Sequence, residues 1–300
     1  MALTKEEFKD LQEAGKIAAN VLEYGRKQIK KETFLLEVTE KVEDKIRQMG
    51  GGLAFPVNIS CDSIAAHYAA SPNDKTEFNE QLVKLDVGVN VNGWLGDNAV
   101  SVDLSGNYSE LVQASRDALE KVAKILRPGL TLNEIGATVE LSITEKGFQP
   151  IRNLSGHEVG QYQVHSGLTI PNYASGEMTK LQEGMAIAIE PFATTGIGLT
   201  IEQKPAEIFS ISTYKPIRVG FVRDMVNHLQ QNLRHLPFSR RALMPKFTEA
   251  QINYAFSHLK TLGMLHEYPL LVEKKGGIVS QAENTFYLIK DKAILLTSRE

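Results

Sequence analysis

One stretch decides the fold, Val83-Lys-Leu-Asp86-Val-Gly-Val-Asn-Val-Asn92-Gly93-Trp-Leu-Gly-Asp97-Asn-Ala-Val-Ser-Val-Asp-Leu104. The Asn92-Gly93 pair between two alternating segments predicts a two-residue hairpin turn, because both turn positions need positive φ. In that register Gly88 lies opposite Asp97, so Asp86 and Asp97 are diagonal neighbours on one small, polar face. Such neighbours lie about 7–8 Å apart, near enough to share metal ions. The alternative is a hairpin whose polar face meets solvent.

Three further potential ligands, His157, Glu190 and Glu283, lie in short segments that have the character of strands. Each could instead have no metal-binding role: His157 could be a hydrogen-bonded structural histidine, and Glu190 and Glu283 could be strand-end carboxylates in water. Together with the two aspartates they form the set that a two-metal hydrolytic site needs. Carboxylates bridge divalent ions, an imidazole adds a neutral ligand, and the ions make a hydroxide from water near neutral pH. His67, whose alternative is a loop histidine, could move protons there.

The composition is that of an ordinary globular chain, with 300 residues, 42% hydrophobic and 23% charged. A net charge of −3 with interspersed signs disfavours nucleic acid or an anionic membrane as the main partner. Cys61 is the only cysteine, which indicates a reducing compartment. The start of the sequence lacks the apolar stretch of a signal peptide, and no run of about eighteen apolar residues occurs, so we expect a cytoplasmic location and no membrane association.

The order of predicted elements repeats along the chain. A helix pair precedes strands twice, and capping-box pairs at Thr4 with Glu7 and at Thr131 with Glu134 open the first helix of the first pair and the second helix of the second pair. The later strand candidates are residues 158–164, 185–189 and 277–289. Between Glu190 and Glu283, helical spacing over residues 219–233 and 248–262 indicates a helical insertion. The repeated order suggests two similar halves in one α+β domain.

A set of ordered segments resembles the type II methionine aminopeptidases, in particular their short archaeal form. The segments are Phe55-Pro-Val-Asn-Ile-Ser60, Ala65-Ala-His67-Tyr68, Leu85-Asp86-Val-Gly-Val, Asp97-Asn-Ala-Val, Gly156-His157, His165-Ser-Gly167, Ile189-Glu190-Pro-Phe-Ala-Thr-Thr-Gly196, Leu236-Pro-Phe238, Tyr268-Pro269 and Gln281-Ala-Glu283. The resemblance covers nearly the whole chain and implies a pita-bread fold with pseudo-twofold related halves. It implies a catalytic domain over residues 1–196 and 264–300, with a type II helical insertion subdomain at 197–263.

The resemblance also implies the residues of the site and the activity. The metal ligands would be Asp86, Asp97, His157, Glu190 and Glu283, holding two divalent ions of cobalt, manganese, iron or zinc. The catalytic residues would be His67, His165 and Glu190, with Glu190 as proton shuttle and the histidines stabilising the tetrahedral intermediate. Phe55, Val164, Phe192 and Tyr268 would join the two histidines in binding substrate. The expected reaction removes the initiator methionine from nascent chains and peptides whose second residue is small, and a monomer is expected.

Several positions depart from the family pattern. Asn98 stands where threonine is common, Ala282 where phenylalanine is frequent, and Asn284 where histidine is common; Ala69-Ala70 replaces a more usual threonine-proline. None of these changes removes a ligand, so they bear on metal affinity and rate.

Two other functions remain open. One is a proline-directed peptidase of the same superfamily, which would share the five ligands. The other is a non-catalytic relative that binds ribosomes, RNA or partner proteins.

Overall fold

The computed structural model describes residues 3–298, in which two helices precede strands twice, as the sequence predicts. The first set comprises α1 (Lys5–Gln28), α2 (Leu35–Gln48), β1 (Gly52–Leu53), β2 (Asn58–Cys61), β3 (Ile64–Ala66), β4 (Leu82–Val91) and β5 (Trp94–Asp103). The predicted capping box at the start of α1 is confirmed. The Thr4 hydroxyl accepts from the Glu7 backbone N–H, and the Glu7 carboxylate accepts from the Thr4 backbone N–H.

The second set begins with another helix pair. It comprises α3 (Ser109–Ile125), α4 (Leu132–Thr144), β6 (Gln149–Pro150), β7 (Ser155–Val159), β8 (Thr169–Pro171), β9 (Ala186–Ile189) and β10 (Phe192–Thr194). The predicted strand over 158–164 is wrong beyond Val159. The backbones of Gly160 and Gln163 bond to each other in a tight turn, and Tyr162 adopts a φ of +58°. A glycine in an alternating segment therefore ends this strand.

A segment with its own small core follows. It forms β11 (Thr200–Ile211), α5 (Gly220–Asn232), β12 (Phe238–Ser239), α6 (Arg240–Leu243), α7 (Glu249–Thr261) and β13 (Leu265–Glu273). Helices α5 and α7 were predicted, whereas α6 and the strands of this segment were not. Strand β11 was missed because its exposed part, from Ile201 to Pro205, lacks apolar alternation. The core of the segment consists of Ala206, Phe209, Ile211, Ile217, Val222, Met225, Val226, Leu229, Phe238, Leu243, Ile252, Ala255, Phe256, Leu259 and Met264.

The chain closes with β14 (Val279–Gln281), β15 (Asn284–Ile289) and β16 (Lys292–Leu295), so the predicted strand over 277–289 is interrupted at Ala282-Glu283. Within residues 3–298 the strands form sheets of order β1-β4-β2 with β5 on β4, β14-β10-β6, β12-β11-β13-β3 and β16-β15-β9-β7-β8. All the named strand pairs are antiparallel. Mutual backbone hydrogen bonds between Ala99 and Glu283 join β5 to the chain entering β15.

The β4–β5 hairpin confirms the predicted register. Val91 pairs with Trp94, and Asn92 and Gly93 have φ of +51° and +87°. Alternate residues of β4 (Val83, Leu85, Val87 and Val89) are fully buried against α1 and α2. The opposite face, which carries Asp86, is therefore turned toward the interior between the two halves.

The helices cover the outside of the sheets. α1 and α2 pack on β2 and β4, while α3 and α4 share a second core with residues of β9, β10 and β15. Such one-sided covering leaves the inner sheet faces free to build a site. Of the helices within 3–298, none combines the length and apolar character needed to cross a membrane.

Candidate metal centre and adjoining cavity

Asp86 and Asp97 lie on the inner face of the hairpin, as the register predicted. Gly88 is opposite Asp97, and Asp86 is opposite Ala99. Asp97 is 4% exposed, and a buried carboxylate is unfavourable unless it is paired. The alternative of a solvent-facing hairpin is therefore wrong.

His157, Glu190 and Glu283 reach Asp97 from other strands. The Nε2 atom of His157 lies 3.7 Å from Asp97 Oδ2, 3.7 Å from Glu190 Oε1 and 4.0 Å from Glu283 Oε1. Glu283 is fixed by its backbone, whose N–H donates to Ala99 O at 3.1 Å and whose C=O accepts from Ala99 N at 3.3 Å. One donor atom each from Asp97, His157 and Glu283 lie within 4.8 Å of one another. These separations leave room for an ion between the donors.

Burial makes this cluster of donors electrostatically unfavourable by itself. Desolvation raises the pKa of Asp86 to about 7, against a weaker lowering by the Gln281 hydrogen bond. Desolvation, followed by repulsion from neighbouring carboxylates, raises the pKa of Asp97, Glu190 and Glu283 well above the ordinary range. Desolvation lowers the pKa of His157 to about 3, so its imidazole is neutral at pH 7. Like charges gathered in a dry site call for a cation.

The residues present fit divalent metal ions. The Oδ1 atoms of Asp86 and Asp97 are buried and have no hydrogen-bond partner among the described residues. Buried carboxylate oxygens are normally hydrogen-bonded, paired with a charge or coordinated to metal. Four carboxylates and one neutral imidazole make an oxygen-rich donor set that suits first-row divalent ions.

Two polar residues that the sequence reasoning did not assign contact the clustered donors. The side-chain amide of Gln281 donates to Asp86 Oδ2 and to Glu283 Oε2, each at 3.5 Å. The hydroxyl of Thr285 accepts from Asp97 N at 2.8 Å and donates to Asp97 O at 2.7 Å. Both residues lie two positions from Glu283, so period-two alternation around that residue was the available signal. Such contacts orient ligands and tune metal affinity.

His67 and His165 flank the cluster. The Nδ1 atom of His67 lies 3.1 Å from Pro269 O, and burial lowers the pKa of His67 to about 4. The neutral ring therefore donates from Nδ1 to this carbonyl, which leaves Nε2 as an acceptor. The ring of His165 lies edge-on to that of His157, with centroids 4.4 Å apart. Both histidines are placed to meet a bound molecule.

A cavity of about 200 Å³ opens beside the donors. All eleven residues that the sequence analysis named for the site line it: Phe55, His67, Asp86, Asp97, His157, Val164, His165, Glu190, Phe192, Tyr268 and Glu283. Its wall also contains residues not named beforehand, among them Ala66, Asn153, Leu154, Ile208, Pro237 and Leu271. Three of these, Ala66, Ile208 and Leu271, lie on β3, β11 and β13, which local patterns did not connect to the site.

The apolar part of the cavity depends on a close approach. A Cβ at Gly88 would lie 2.3 Å from Cε1 of Phe55, so glycine is required for Phe55 to lie over the sheet. The Tyr268 ring, which also lines the cavity, meets His67 edge-on at 5.9 Å between centroids, and its hydroxyl lies 3.2 Å from Ser210 Oγ. The rings of Phe55 and Tyr268 thus line the cavity together with the carboxylates.

The unusual residues lie behind the donors. With its amide turned to satisfy its neighbours, Asn98 donates to Val87 O at 3.0 Å. Asn284 Oδ1 accepts from the Thr297 hydroxyl at 2.8 Å, and that hydroxyl accepts from Thr285 N at 3.1 Å. Ala282 packs in the core around α3 and α4. Asn284 is thus linked to Asp97 through Thr297 and Thr285.

The fold and the buried donor set define a metallopeptidase. Residues 9–221 match the model of Metallopeptidase family M24. The methionine aminopeptidase of Thermococcus onnurineus is 40% identical over 97% of this chain and 100% of its own length. The chain therefore belongs to metallopeptidase family M24 and, within it, to the type II methionine aminopeptidases.

Solved structures confirm the pita-bread fold. Methionine aminopeptidase from Thermotoga maritima superposes with a TM-score of 0.72 at 22% identity, covering 100% of this chain and 99% of that one. A thermophilic Arx1 superposes with a TM-score of 0.86 at 13% identity, covering 98% and 91%. At such identities the likeness concerns the fold alone.

Proposed function

We propose that this protein is a metal-dependent aminopeptidase that removes the initiator methionine from nascent proteins and peptides whose second residue is small. The observation that carries the proposal is the cavity, where a buried cluster of metal-type donors meets an apolar slot framed by Phe55 and Tyr268. A flexible thioether side chain suits such a slot. The small volume of the cavity favours one N-terminal side chain over a longer stretch of peptide.

The proposed ligands are Asp86, Asp97, His157, Glu190 and Glu283, and they would hold two divalent ions of cobalt, manganese, iron or zinc. Their mutual distances, their burial and the unpartnered oxygens of the two aspartates support this assignment. When bound, the ions would supply a nucleophilic hydroxide near neutral pH and polarise the scissile carbonyl. The identity of the metal depends on intracellular availability as well as on the donors.

Three side chains of the site would hydrogen-bond to the substrate or transfer protons. His67 lines the cavity with Nδ1 engaged by Pro269 O, so its unprotonated Nε2 atom would accept a hydrogen bond from the scissile N–H. His165, beside His157, would donate to the oxygen on which charge develops. Glu190 has a raised pKa caused mainly by burial. It would hold the proton lost by water and deliver it to the leaving amine.

The remaining lining residues would select the substrate. Phe55, Val164, Phe192 and Tyr268 would contact the methionine side chain, while His67 and His165 would contact the substrate at the scissile peptide group. Smaller or charged first residues would lose apolar contacts with this lining and would therefore bind weakly.

We also propose that residues 1–196 and 264–300 form the catalytic domain and that 197–263 form an insertion subdomain. The separate core of the insertion supports this division. The pairing of β11 with β13 and of β13 with β3 ties it to the cavity wall. A cytoplasmic monomer that meets chains as they leave the ribosome would suit the proposed substrate.

Peptide hydrolysis tests the proposed function. Methionine release is measured from Met-Ala-Ser and Met-Leu-Ser, and alanine release from an Ala-Pro peptide, after chelation and after each metal is restored. We expect metal-restored cleavage of Met-Ala-Ser alone, and loss of that cleavage in Glu283→Ala. The matched control Glu202→Ala removes an exposed carboxylate of β11 and should keep full activity. Activity confined to Ala-Pro would indicate a proline-directed peptidase, and no restorable activity would indicate a binding protein.

A further inference from the structure

Arg241 of α6 reaches the turn that carries His67, although it does not line the cavity. Its Nε atom donates to Ala70 O at 3.2 Å, and its Nη2 atom donates to Glu43 Oε1 at 2.5 Å. The two charged side chains are only 11% and 8% exposed. One guanidinium therefore ties the insertion to α2 and to the backbone three residues beyond His67.

The conformation of His67 needs such support. Its φ of +67° is disfavoured for a residue with a Cβ, so the surrounding contacts must hold it in place. Two hydrogen bonds fix the part of the segment that precedes Ala70. Pro269 O accepts from the His67 ring, and Ile59 N donates to Tyr68 O at 2.8 Å. The contact at Ala70 O fixes the far side of the turn.

The sequence of the turn leaves its backbone less restricted, so a contact that fixes the backbone matters more. Ala69-Ala70 stands where threonine-proline is more usual in this family, and proline would restrict the backbone by itself. Alanine leaves more backbone freedom, which a fixed hydrogen bond can remove. Arginine suits this task because its planar group presents two separate N–H edges, one to Ala70 O and one to Glu43.

A buried ion pair gives little net stability, because desolvation offsets much of the attraction. Burial raises the pKa of Glu43, and the charge of Arg241 opposes that rise. The pair is thus better explained by the geometry it imposes than by the stability it adds.

We propose that Arg241, oriented by Glu43, is a positioning residue that holds His67 where it can contact the scissile amide. The inference rests on the proposed role of His67 toward the scissile amide. Arg241 acts only through the turn, so it should influence the transition state while leaving the apolar slot intact. Small misplacements of a reacting group lower rates on the order of a hundredfold.

A double-mutant comparison tests the inference on the metal-loaded enzyme with Met-Ala-Ser. We expect Arg241→Met to lower kcat about tenfold or more while KM stays within about twofold. In a His67→Ala background the same substitution should lower kcat no further, because the two residues act through one contact. Arg47→Met is the matched control. It removes the other arginine near Glu43, at 3.7 Å, and should leave kcat unchanged.

The outcomes distinguish a failure of the inference about Arg241 from a failure of the role proposed for His67. Equal losses in both backgrounds would show a general distortion and overturn the inference, as would an unchanged kcat in Arg241→Met. If His67→Ala itself keeps the wild-type kcat, the role proposed for His67 fails and the inference fails with it. Urea denaturation first establishes that each variant is folded. Should Arg241→Met not fold, Glu43→Gln takes its place with an expected several-fold fall in kcat, again absent in the His67→Ala background.

Discussion

Replacing Asp86 with asparagine should stabilise the protein when metal is removed. Burial raises the pKa of this carboxyl group from 3.8 to about 7, because the charged form loses its hydration. Asparagine has nearly the same shape, carries no charge, and can still accept a hydrogen bond from Gln281. The perturbation therefore removes the charge while it preserves the packing.

The size and pH range of the effect follow from the shift in pKa. The unfolded chain releases the Asp86 proton near pH 3.8, whereas the folded metal-free chain retains it until about pH 7. Ionisation therefore destabilises the folded state progressively between these values, and the full effect is present above pH 7. At 1.36 kcal/mol per pKa unit, the shift corresponds to about 4 kcal/mol. Asp86→Asn should be more stable than wild type by about that amount at pH 8, and equal to it near pH 4.

Urea unfolding in the presence of a chelator, at pH 4, 6 and 8, measures the difference. Asp44→Asn changes an exposed aspartate of α2 and should alter the free energy of unfolding by less than about 0.5 kcal/mol at each pH. With metal at saturation the order should reverse, because only the wild type keeps all five of the proposed ligands. A pH-independent difference, or a metal-free Asp86→Asn that is less stable at pH 8, would refute the electrostatic reasoning.

Three further outcomes follow from single contacts. Gly88→Ala should raise KM for Met-Ala-Ser on the order of tenfold, because the new Cβ displaces Phe55; an unchanged KM would mean that Phe55 does not shape the slot. Thr285→Val should weaken metal binding ~10-fold or more by calorimetric titration, since both bonds to the Asp97 backbone are lost, whereas Thr285→Ser should not. Phe209→Ala should lower the free energy of unfolding by about 3–5 kcal/mol, because its fully buried ring lies in the core of the insertion. A change below about 1 kcal/mol in urea denaturation would contradict that packing.

Local rules predicted much of the fold. The capping boxes predicted at Thr4 and Thr131 both formed, because the hydroxyl and the side chain three residues later satisfy donors within one turn. Gly50 follows the end of α2 with positive φ, a position that favours glycine. The missed strand β11 shows the limit of local rules. Its exposed part has no apolar alternation, and only pairing with β13 makes it a strand.

The sequence also showed which residues could bind metal, but their roles were inferred from the ordered motifs that resemble the family. A carboxylate such as Glu190 at a strand end has the same local pattern in water as at a metal. The structure brings Glu190 within 3.7 Å of His157. Gln281 and Thr285 were not assigned because alternation around Glu283 places them near it in sequence but does not show that their side chains contact the donors.

The sequence by itself determined the hairpin register, and with it the common face of Asp86 and Asp97, because a two-residue turn and period-two alternation are local constraints. Only the tertiary structure decided that these aspartates share a cavity with His67, and that Pro269 O leaves the Nε2 atom of His67 free to accept. It also decided the support behind Asp97, which comes from a hydroxyl 188 positions away. Such contacts depend on how separate sheets pack, and packing is a property of the whole chain.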